Sequence, residues 1–198
     1  MIDTAILGAS GFVGAELLRL LAGHPALRPA RLFADSQAGR PLGEVHPHLA
    51  LAYGRARLEG MSAAAKLIAG DGPGECRLVF AALPHGESQK IAPSLLERGV
   101  LLVDLGADFR LGAASDYERW YGERHDAPEL LGRFVYGIPE LHRAEIAAAR
   151  AVAAAGCYPT AAILALKPLL PLIDPDTINI DAASGVSGAG KALKESSH

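Results

Sequence analysis

The 198-residue sequence predicts an α/β protein whose main domain is a doubly wound parallel sheet, followed by the start of a second, α+β domain. Short apolar runs alternate with longer amphipathic runs across residues 1–155, a pattern typical of strands alternating with helices. Loops rich in glycine or polar residues follow the apolar runs. The pattern changes after Gly156, so residues 156–198 are predicted to form part of the second domain.

The predicted elements of the first domain run from a buried strand at residues 4–7 to a strand at residues 151–155. Residues 12–21 are predicted to form a helix, because their valine and leucines repeat on one face. A second helix at residues 87–98 ends at Gly99. Right-handed crossovers place the carboxyl ends of the strands on one rim of the sheet, where ligands of such sheets bind. The other predicted strands are residues 30–34, 78–83, 100–104 and 133–136.

The second domain is predicted from three segments. A helix at residues 160–170 leads to residues 177–182, whose alternation of apolar and polar side chains predicts a half-buried strand. A glycine- and serine-rich loop follows at residues 184–190.

Composition excludes several classes of protein. The formal net charge of −3 gives no electrostatic support to nucleic-acid binding, so no nucleic-acid partner is expected. Charged residues and prolines interrupt the most apolar stretch, residues 144–173, and predict no membrane span. We expect no secretory signal, because Asp3 and the glycines interrupt residues 1–21. Cys76 and Cys157 are too few for a disulfide framework, which favours a cytoplasmic location.

A glycine cluster stands between the first predicted strand and the first predicted helix. Glycines there permit a tight turn and close approach of the backbone to a pyrophosphate, and the helix N-terminus favours negative charge. The GxxGxxG spacing is a weak signal by itself, because many such clusters are simple turns. Its position after the first strand favours a Rossmann-type site for a nicotinamide dinucleotide. The segment consists of Gly8, Ala9, Ser10, Gly11, Phe12, Val13 and Gly14.

The residues after the second strand bear on the identity of the nucleotide. Asp35 favours NAD, because a carboxylate there hydrogen-bonds the ribose 2′-hydroxyl; otherwise it is a solvated turn residue. Ser36, Gln37 and Arg40 favour the 2′-phosphate of NADP. The local sequence leaves both nucleotides open.

The two cysteines differ in their settings. Cys76 precedes a strand and is interpreted as a small, inert, partly buried residue. Cys157 follows an apolar strand and precedes Pro159, a residue suited to the first turn of a helix. Because a helix N-terminus favours the thiolate form, Cys157 is either a nucleophile or an inert buried cysteine. A thiolate beside a nicotinamide suggests thioester chemistry coupled to hydride transfer.

A resemblance to a known family rests on segments that follow one another in that family's order. The Cys-Tyr-Pro-Thr segment at residues 157–160 and the Ser-Gly-Val-Ser-Gly-Ala-Gly segment at residues 184–190 are specific, whereas many dehydrogenases share the glycine cluster. With these motifs the chain resembles the N-acetyl-γ-glutamyl-phosphate reductases, NADP-dependent oxidoreductases of arginine biosynthesis. The matching segments are residues 7–19, 38–41, 45–49, 82–86, 104–111, 120–122, 135–141, 156–161 and 184–190.

The resemblance implies that Cys157 is the acyl nucleophile and that residues 8–14 hold the pyrophosphate of NADPH, with NAD left open by Asp35. The implied reaction reduces N-acetyl-γ-glutamyl phosphate to the semialdehyde and releases phosphate. The resemblance also implies a homo-oligomer with a small-molecule acyl-phosphate substrate. The other implied cofactor contacts are Ser36, Pro84, His85, Ser187 and Gly188, and the implied substrate contacts are Arg110, Tyr158 and Ser184.

Some positions depart from the family pattern. Ala154 and Ala155 replace an Asn-Pro pair, Gly106 replaces a serine, and Asp35 stands where many relatives have a neutral or basic residue. Members of the family are much longer than 198 residues. We therefore expect a truncated chain that binds dinucleotide with little or no turnover, and an acid/base histidine beyond His198.

Alternatives within and outside the enzyme class stay open. Reductases of N-acetyl-aminoadipyl phosphate or aspartyl phosphate share the scaffold, and a non-catalytic dinucleotide-binding module is the alternative from another class. His46 and His48 form a weak metal pair; no cysteine or carboxylate completes a ligand set, so no metal is expected. The weak stand-ins for the acid/base residue are His24, His46, His48, His85, His125 and His142.

Overall fold

The computed structural model describes residues 1–71 and 76–189 of the chain. The chain divides into two compact units, Met1–Ala154 and Ala155–His198. Residue 190, at the end of the predicted glycine- and serine-rich loop, and His198 lie outside the described residues. Within residues 1–71 and 76–189, no helix is long and apolar enough to cross a membrane.

The first unit is built on one parallel sheet, as the sequence predicts. Its strands are β1 (Ile2–Leu7), β2 (Leu27–Phe33), β3 (Leu78–Ala81), β4 (Leu101–Asp104), β5 (Phe134–Gly137) and β6 (Ala151–Ala154). They lie in the order β2-β1-β3-β4-β6-β5, and every pair of neighbours is parallel. All six predicted strands of the first domain are therefore confirmed, with boundaries that differ by a few residues.

Helices connect the strands of the first unit, and one more helix opens the second unit. In the first unit they are α1 (Phe12–Leu21), α2 (Leu42–Val45), α3 (Ala50–Tyr53), α4 (Met61–Ala69), α5 (Ser88–Glu97), α6 (Ala114–Tyr121) and α7 (Pro139–Ala148). The helix of the second unit is α8 (Cys157–Leu166).

Apolar side chains are buried on both faces of the sheet. Along β1, Ile6 packs into a cluster with Leu18 of α1, whereas Ala5 and Leu7 pack into a second cluster with Leu95 of α5. Successive side chains of a strand point to opposite faces, so a strand in the middle of a doubly wound sheet must be apolar at every position. The doubly wound architecture is therefore confirmed.

The order in which the chain adds strands to the sheet reverses at β1. The chain passes from β1 to β2 on one side of it and then returns to place β3 on the other side. The crossover loops diverge at such a point and leave a crevice beyond the carboxyl ends of the two strands, where open α/β sheets bind ligands.

Three helices of eight or more residues in the first unit, α4, α6 and α7, are absent from the sequence prediction. Helix α6 has the polar sequence Ala-Ser-Asp-Tyr-Glu-Arg-Trp-Tyr and buries a single side chain, Tyr117, while α7 buries none. What these helices bury depends on contacts with distant parts of the chain, which a short window of sequence does not contain.

The predicted strand at residues 177–182 is wrong. Thr177 ends a short 3₁₀ turn, Pro175–Thr177, and the following residues have no regular structure. Ile180 is 63% exposed. A strand is stabilised by hydrogen bonds to a neighbour, and no described residue pairs with this segment.

The helix predicted at residues 160–170 is present but displaced towards the N-terminus. It begins at Cys157, after Gly156 in extended conformation, and ends at Leu166. Lys167 keeps helical backbone angles, with φ of −49° and ψ of −46°, but Pro168 has no N–H to donate to the carbonyl oxygen of Leu164, so the helical hydrogen bonds are interrupted there.

Candidate active site

Loops that follow β1, β2 and β3 enclose a cleft of about 370 Å³ beside the crevice of the sheet. It therefore lies at the place where the sequence predicts a dinucleotide. A second cavity, of about 450 Å³, lies at the opposite, amino ends of β3 and β4 and contains none of the predicted site residues. The residues that line the first cleft are Gly8, Ser10, Gly11, Ala34, Asp35, Met61, Ala82, Leu83, Pro84 and Glu87.

The three glycines of the loop have different physical roles. Gly8 has a φ of +84°, and a Cβ atom there would lie 2.1 Å from the carbonyl oxygen of Ala82. A Cβ atom on Gly14 would lie 2.5 Å from the carbonyl oxygen of Gly8. On Gly11 the nearest atom is 3.5 Å away, and this glycine lines the cleft. Gly8 and Gly14 are therefore required by internal packing, whereas Gly11 leaves space for a ligand to approach the backbone.

The N-terminus of α1 presents backbone donors beside this loop. Gly11 is the N-cap and no side chain caps the helix, so the N–H groups of its first turn lack side-chain partners. The side chains of Phe12 and Val13 are about half exposed, at 44% and 51%. Unsatisfied N–H groups and the positive end of the helix dipole attract anions. The loop therefore fits the pyrophosphate of a dinucleotide.

Hydrogen bonds to Phe33 and His46 fix the backbone of Ala9 in the same loop. Ala9 is fully buried; its N–H donates to the carbonyl oxygen of Phe33, and its own oxygen lies 3.0 Å from Nε2 of His46. His46 is itself buried, so this histidine supports the loop and is not available as an acid or base.

The loop after β2 places a carboxylate in the cleft. Asp35 lines the cleft and is exposed, and Ser36 is exposed beside it. Arg40 is turned to other partners, because its Nη1 donates to Oε1 of Gln37 over 2.7 Å and its Nη2 lies 3.6 Å from Oε2 of Glu44. In this arrangement a carboxylate, and not a guanidinium, faces the expected position of the adenosine ribose.

Of the two residues predicted as cofactor contacts in the loop after β3, Pro84 lines the cleft and His85 does not. Pro84 lines the cleft together with Glu87, which was not predicted. His85 instead turns to Asp108, with Nδ1 3.0 Å from Oδ1, and to the hydroxyl of Tyr117, 2.9 Å from Nε2. Neither partner was singled out from the sequence, although Asp108 belongs to one of the polar loops that follow the predicted strands.

The end of β4 carries a buried acid. Asp104 Oδ1 accepts hydrogen bonds from Ser88 Oγ at 2.6 Å and from the Gly106 N–H at 2.9 Å, while Oδ2 has no partner among the described residues. Burial raises the pKa of Asp104 above its ordinary value of 3.8, the two hydrogen bonds oppose this, and Asp108 adds to it. A Cβ on Gly106 would lie 3.1 Å from Oδ1, so a serine at this position contacts the carboxyl group.

Arg110 is anchored by backbone oxygens at the ends of two strands. Its Nε donates to the carbonyl oxygen of Ala154 over 2.9 Å and its Nη2 to that of Leu105 over 3.3 Å. A guanidinium has five N–H groups, so this arrangement fixes the side chain and leaves other donors for an anion.

Two other histidines proposed as stand-ins for the base have structural roles. His24 Nδ1 accepts the N–H groups of Ala26 and Leu27. His125 is buried, with Nδ1 accepting the N–H of Ala127 and Nε2 2.9 Å from the carbonyl oxygen of Asp108. Across residues 1–71 and 76–189, no group of three or more histidine, cysteine or acidic residues is arranged to hold a metal ion.

The second unit contains the predicted nucleophile. Cys157 is exposed and is the first residue of α8. The next residue, Tyr158, is 46% exposed. Further along, the N–H of Gly188 donates to the carbonyl oxygen of Gly185 over 2.9 Å, in a turn where Ser184 and Ser187 are exposed.

Cys76 in the first unit differs from Cys157 in its exposure. It is buried, and burial raises the pKa of its thiol. The interpretation of Cys76 as an inert core residue is consistent with this setting.

Comparison with known proteins identifies the family. Residues 3–149 match the family model described as semialdehyde dehydrogenase, NAD binding domain, and residues 157–198 match the model described as semialdehyde dehydrogenase, dimerisation domain. The chain belongs to the semialdehyde dehydrogenase family.

Curated relatives within this semialdehyde dehydrogenase family are N-acetyl-gamma-glutamyl-phosphate reductases. Those of Pelotomaculum thermopropionicum and Desulforamulus reducens are 47% and 45% identical over 199 and 202 residues, which is all of this chain. The matches cover 55% and 56% of the relatives, so the chain spans about half their length. The resemblance inferred from the motifs is confirmed.

Solved structures of semialdehyde dehydrogenases share the fold. An aspartate semialdehyde dehydrogenase with NADP from Candida albicans has a TM-score of 0.58 at 18% identity, covering 86% of this chain and 47% of that chain. Aspartate semialdehyde dehydrogenase II from Vibrio cholerae has a TM-score of 0.58 at 21% identity, covering 96% and 48%.

Proposed function

We propose that this semialdehyde dehydrogenase family member acts in the NADPH-dependent reduction of N-acetyl-γ-glutamyl phosphate to the semialdehyde, a step of arginine biosynthesis. The observation that carries the proposal is the exposed Cys157 at the first position of α8. Relatives with the reductase name match the whole chain. In this proposal residues 1–155 bind the nucleotide, and residues 156–198 contribute the nucleophile.

The chemistry assigned to Cys157 is acyl transfer. Its thiolate attacks the carbonyl carbon of the acyl phosphate, a C–S bond forms, and the C–O bond to phosphate breaks with release of inorganic phosphate. When bound, NADPH would supply the hydride that reduces the thioester carbon and would become NADP. The C–S bond then breaks and the aldehyde leaves, so that the thiolate is restored.

The other site residues have assigned roles in this scheme. In the loop of residues 8–14, the backbone N–H groups at the start of α1 bind the pyrophosphate, since no side chain caps this helix. The N–H groups of Gly8, Ala9 and Gly11 donate within the protein and shape the loop. The anchored guanidinium of Arg110 binds the phosphate of the substrate through its remaining donors. Further nucleotide contacts are Ser36, Pro84, Ser187 and Gly188, and further substrate contacts are Tyr158 and Ser184. His85 does not line the cleft and is bonded to Asp108 and Tyr117 instead.

The proposed nucleotide is NADPH, and Asp35 sets how strongly it is preferred over NADH. The carboxylate lines the cleft and repels the 2′-phosphate, which lowers the preference for NADPH that the reductase resemblance implies. A match to the dimerisation-domain model supports a homo-oligomer as the assembled form.

The test is the reverse reaction of the purified protein, with N-acetyl-glutamate semialdehyde, NADP and phosphate, followed as NADPH formation. Mass spectrometry of the protein incubated with the acyl phosphate reads the thioester directly. We expect acylation on Cys157 and its complete loss in Cys157→Ser. The matched control is Cys76→Ala, which removes the buried thiol and retains acylation.

Separate outcomes distinguish the alternatives. Acylation that persists in Cys157→Ser removes this residue from the mechanism. NADPH binding without any reactivity at Cys157 identifies a dinucleotide-binding module and refutes the enzymatic proposal.

A further inference from the structure

A group of four polar side chains, three of them buried, stands behind the loop that joins β3 to α5. The loop lines the nucleotide cleft through Pro84 and Glu87, while its opposite side faces residues from other parts of the chain. We name the group the anchoring cluster, and it consists of His85, Gln89, Asp108 and Tyr117.

Asp108 holds the backbone of the loop. Its carboxylate is fully buried; Oδ1 accepts the Gly86 N–H over 2.8 Å and Oδ2 accepts the Gln89 N–H over 3.2 Å. Glu87, the N-cap residue of α5, makes no side-chain capping bond. Asp108 therefore caps α5 from a distant loop, where the helix dipole favours a negative charge.

The hydrogen bonds of the anchoring cluster have one direction, which starts at a backbone donor. The Asp126 N–H can only donate, and it lies 2.6 Å from Gln89 Oε1, which fixes the orientation of the amide. Gln89 Nε2 then donates to the hydroxyl oxygen of Tyr117 over 3.2 Å. The Tyr117 proton is left to donate to His85 Nε2, 2.9 Å away.

This direction assigns the protonation of His85. Because Nε2 accepts the hydrogen bond of the Tyr117 hydroxyl, Nδ1 carries the ring proton and donates a hydrogen bond to Asp108 over 3.0 Å. Burial raises the pKa of Tyr117, and Asp108 adds to the rise, so the phenol keeps its proton and donates a hydrogen bond. In this arrangement both ring nitrogens of His85 are occupied by hydrogen bonds.

Aromatic rings confine His85 as well. Its ring stacks on that of Tyr117, with centroids 5.5 Å apart and planes at 24°, and lies 4.6 Å from the ring of Tyr121. About a third of the side chain, 34%, stays exposed. With both nitrogens bonded inward, the imidazole has no free lone pair or N–H to exchange with a substrate.

We propose that Gln89, Asp108 and Tyr117 are positioning residues, which act through His85 and the Gly86 N–H to hold residues 84–87 in the conformation that lines the nucleotide cleft. The proposal rests on the proposed function, since it takes the cleft to bind NADPH. It assigns His85 to the support of the loop and not to acid–base chemistry.

The test combines a spectroscopic reading of the wild-type protein with a pair of matched variants. The ¹⁵N shifts of His85 report directly which nitrogen carries the proton, and we expect Nδ1. In Tyr117→Phe the ring stays and the donor to Nε2 is lost. We expect His85 to lose its single tautomer and the Kd for NADPH to rise about fivefold, the effect of one buried hydrogen bond. The control, Tyr121→Phe, removes a hydroxyl outside the described hydrogen bonds of the cluster and changes neither reading.

The tautomer of His85 is a reading that loss of stability alone does not produce. A proton on Nε2 of wild-type His85 overturns the proposal, and this measurement needs no variant to fold. Wild-type affinity for NADPH in a folded Tyr117→Phe variant also overturns it. A wild-type protein that binds neither NADPH nor NADH refutes the proposed function instead.

Discussion

Substituting alanine at Gly11 and, separately, at Gly14 tests whether the glycine loop is built for a ligand or only for its own packing. On Gly14 the new Cβ lies 2.5 Å from the carbonyl oxygen of Gly8 and 2.8 Å from Cα of Ala9, both backbone atoms that cannot rotate away. Overpacking of this kind costs about 3 kcal/mol. Alanine regains about 1 kcal/mol of helix propensity. We expect Gly14→Ala to lose about 2 kcal/mol of stability.

At Gly11 the same methyl group meets no obstacle in the protein. Its nearest neighbour is 3.5 Å away, and φ of −81° with ψ of 171° is ordinary for alanine. Alanine makes the unfolded chain less flexible than glycine does, which stabilises the folded protein by roughly 0.4–1 kcal/mol. This gain offsets the loss from alanine being a poorer N-cap residue than glycine. The methyl group occupies the cleft where the pyrophosphate must approach the backbone. We expect unchanged stability and a Kd for NADPH at least about tenfold higher, equal to about 1.4 kcal/mol.

Two measurements decide the matter. Thermal melting followed by circular dichroism places Gly14→Ala about 4–8 °C below the wild type and Gly11→Ala within about 2 °C of it. Titration of NADPH fluorescence gives the two affinities. A folded Gly11→Ala protein that binds NADPH like the wild type refutes the assignment of the loop to the pyrophosphate. An unshifted melting temperature of Gly14→Ala refutes the packing argument.

Two further predictions concern carboxyl groups. Asp35→Ser removes the charge that faces the 2′-phosphate, so we expect the Kd for NADPH to fall about fivefold and the Kd for NADH to rise. The control, Asp116→Ser, should leave the ratio of the two Kd values unchanged. An unchanged ratio in Asp35→Ser would show that Asp35 does not face the ribose. Asp104 has a raised pKa, so the folded state binds its proton more tightly than the unfolded state, and this contribution to stability is lost as pH rises from about 3.8 through the raised pKa. Asp104→Asn removes that loss, and urea unfolding from pH 4 to pH 8 should show its stability relative to the wild type increasing with pH; a constant difference contradicts the burial argument.

The elements that the sequence predicts well are those whose stability comes from local pattern. The alternation of buried strands with helices places β1, β3 and β4 within a few residues of their observed bounds, and helix α1 at Phe12–Leu21 as predicted. Each of these has a continuous apolar run or a repeating apolar face, which is visible in a short window.

The errors occur where a distant partner decides the structure. Residues 177–182 alternate like a strand, but a strand forms only when another chain segment accepts its hydrogen bonds. Helix α6 is missed for the converse reason, since a polar helix is held by one buried residue, Tyr117. A window of sequence contains neither the missing partner nor the contact.

By itself, the sequence determined the chemistry available to this semialdehyde dehydrogenase family member. Glycines stand where an uncapped helix begins, a carboxylate follows the second strand, and Cys157 precedes a proline that suits a first helical turn. These signals are local, because backbone freedom and helix termini depend on neighbouring residues.

Only the tertiary structure decided which of those groups are free to act. Asp108 reaches Gly86 across 22 residues and Tyr117 reaches His85 across 32, and in our proposal these contacts make His85 a support of the loop. The distinction between Gly11 and Gly14 likewise depends on the distance from each Cβ position to a backbone atom elsewhere in the fold. Hydrogen bonds and steric contacts act over less than 4 Å in space, and only folding brings residues so distant in sequence within that range.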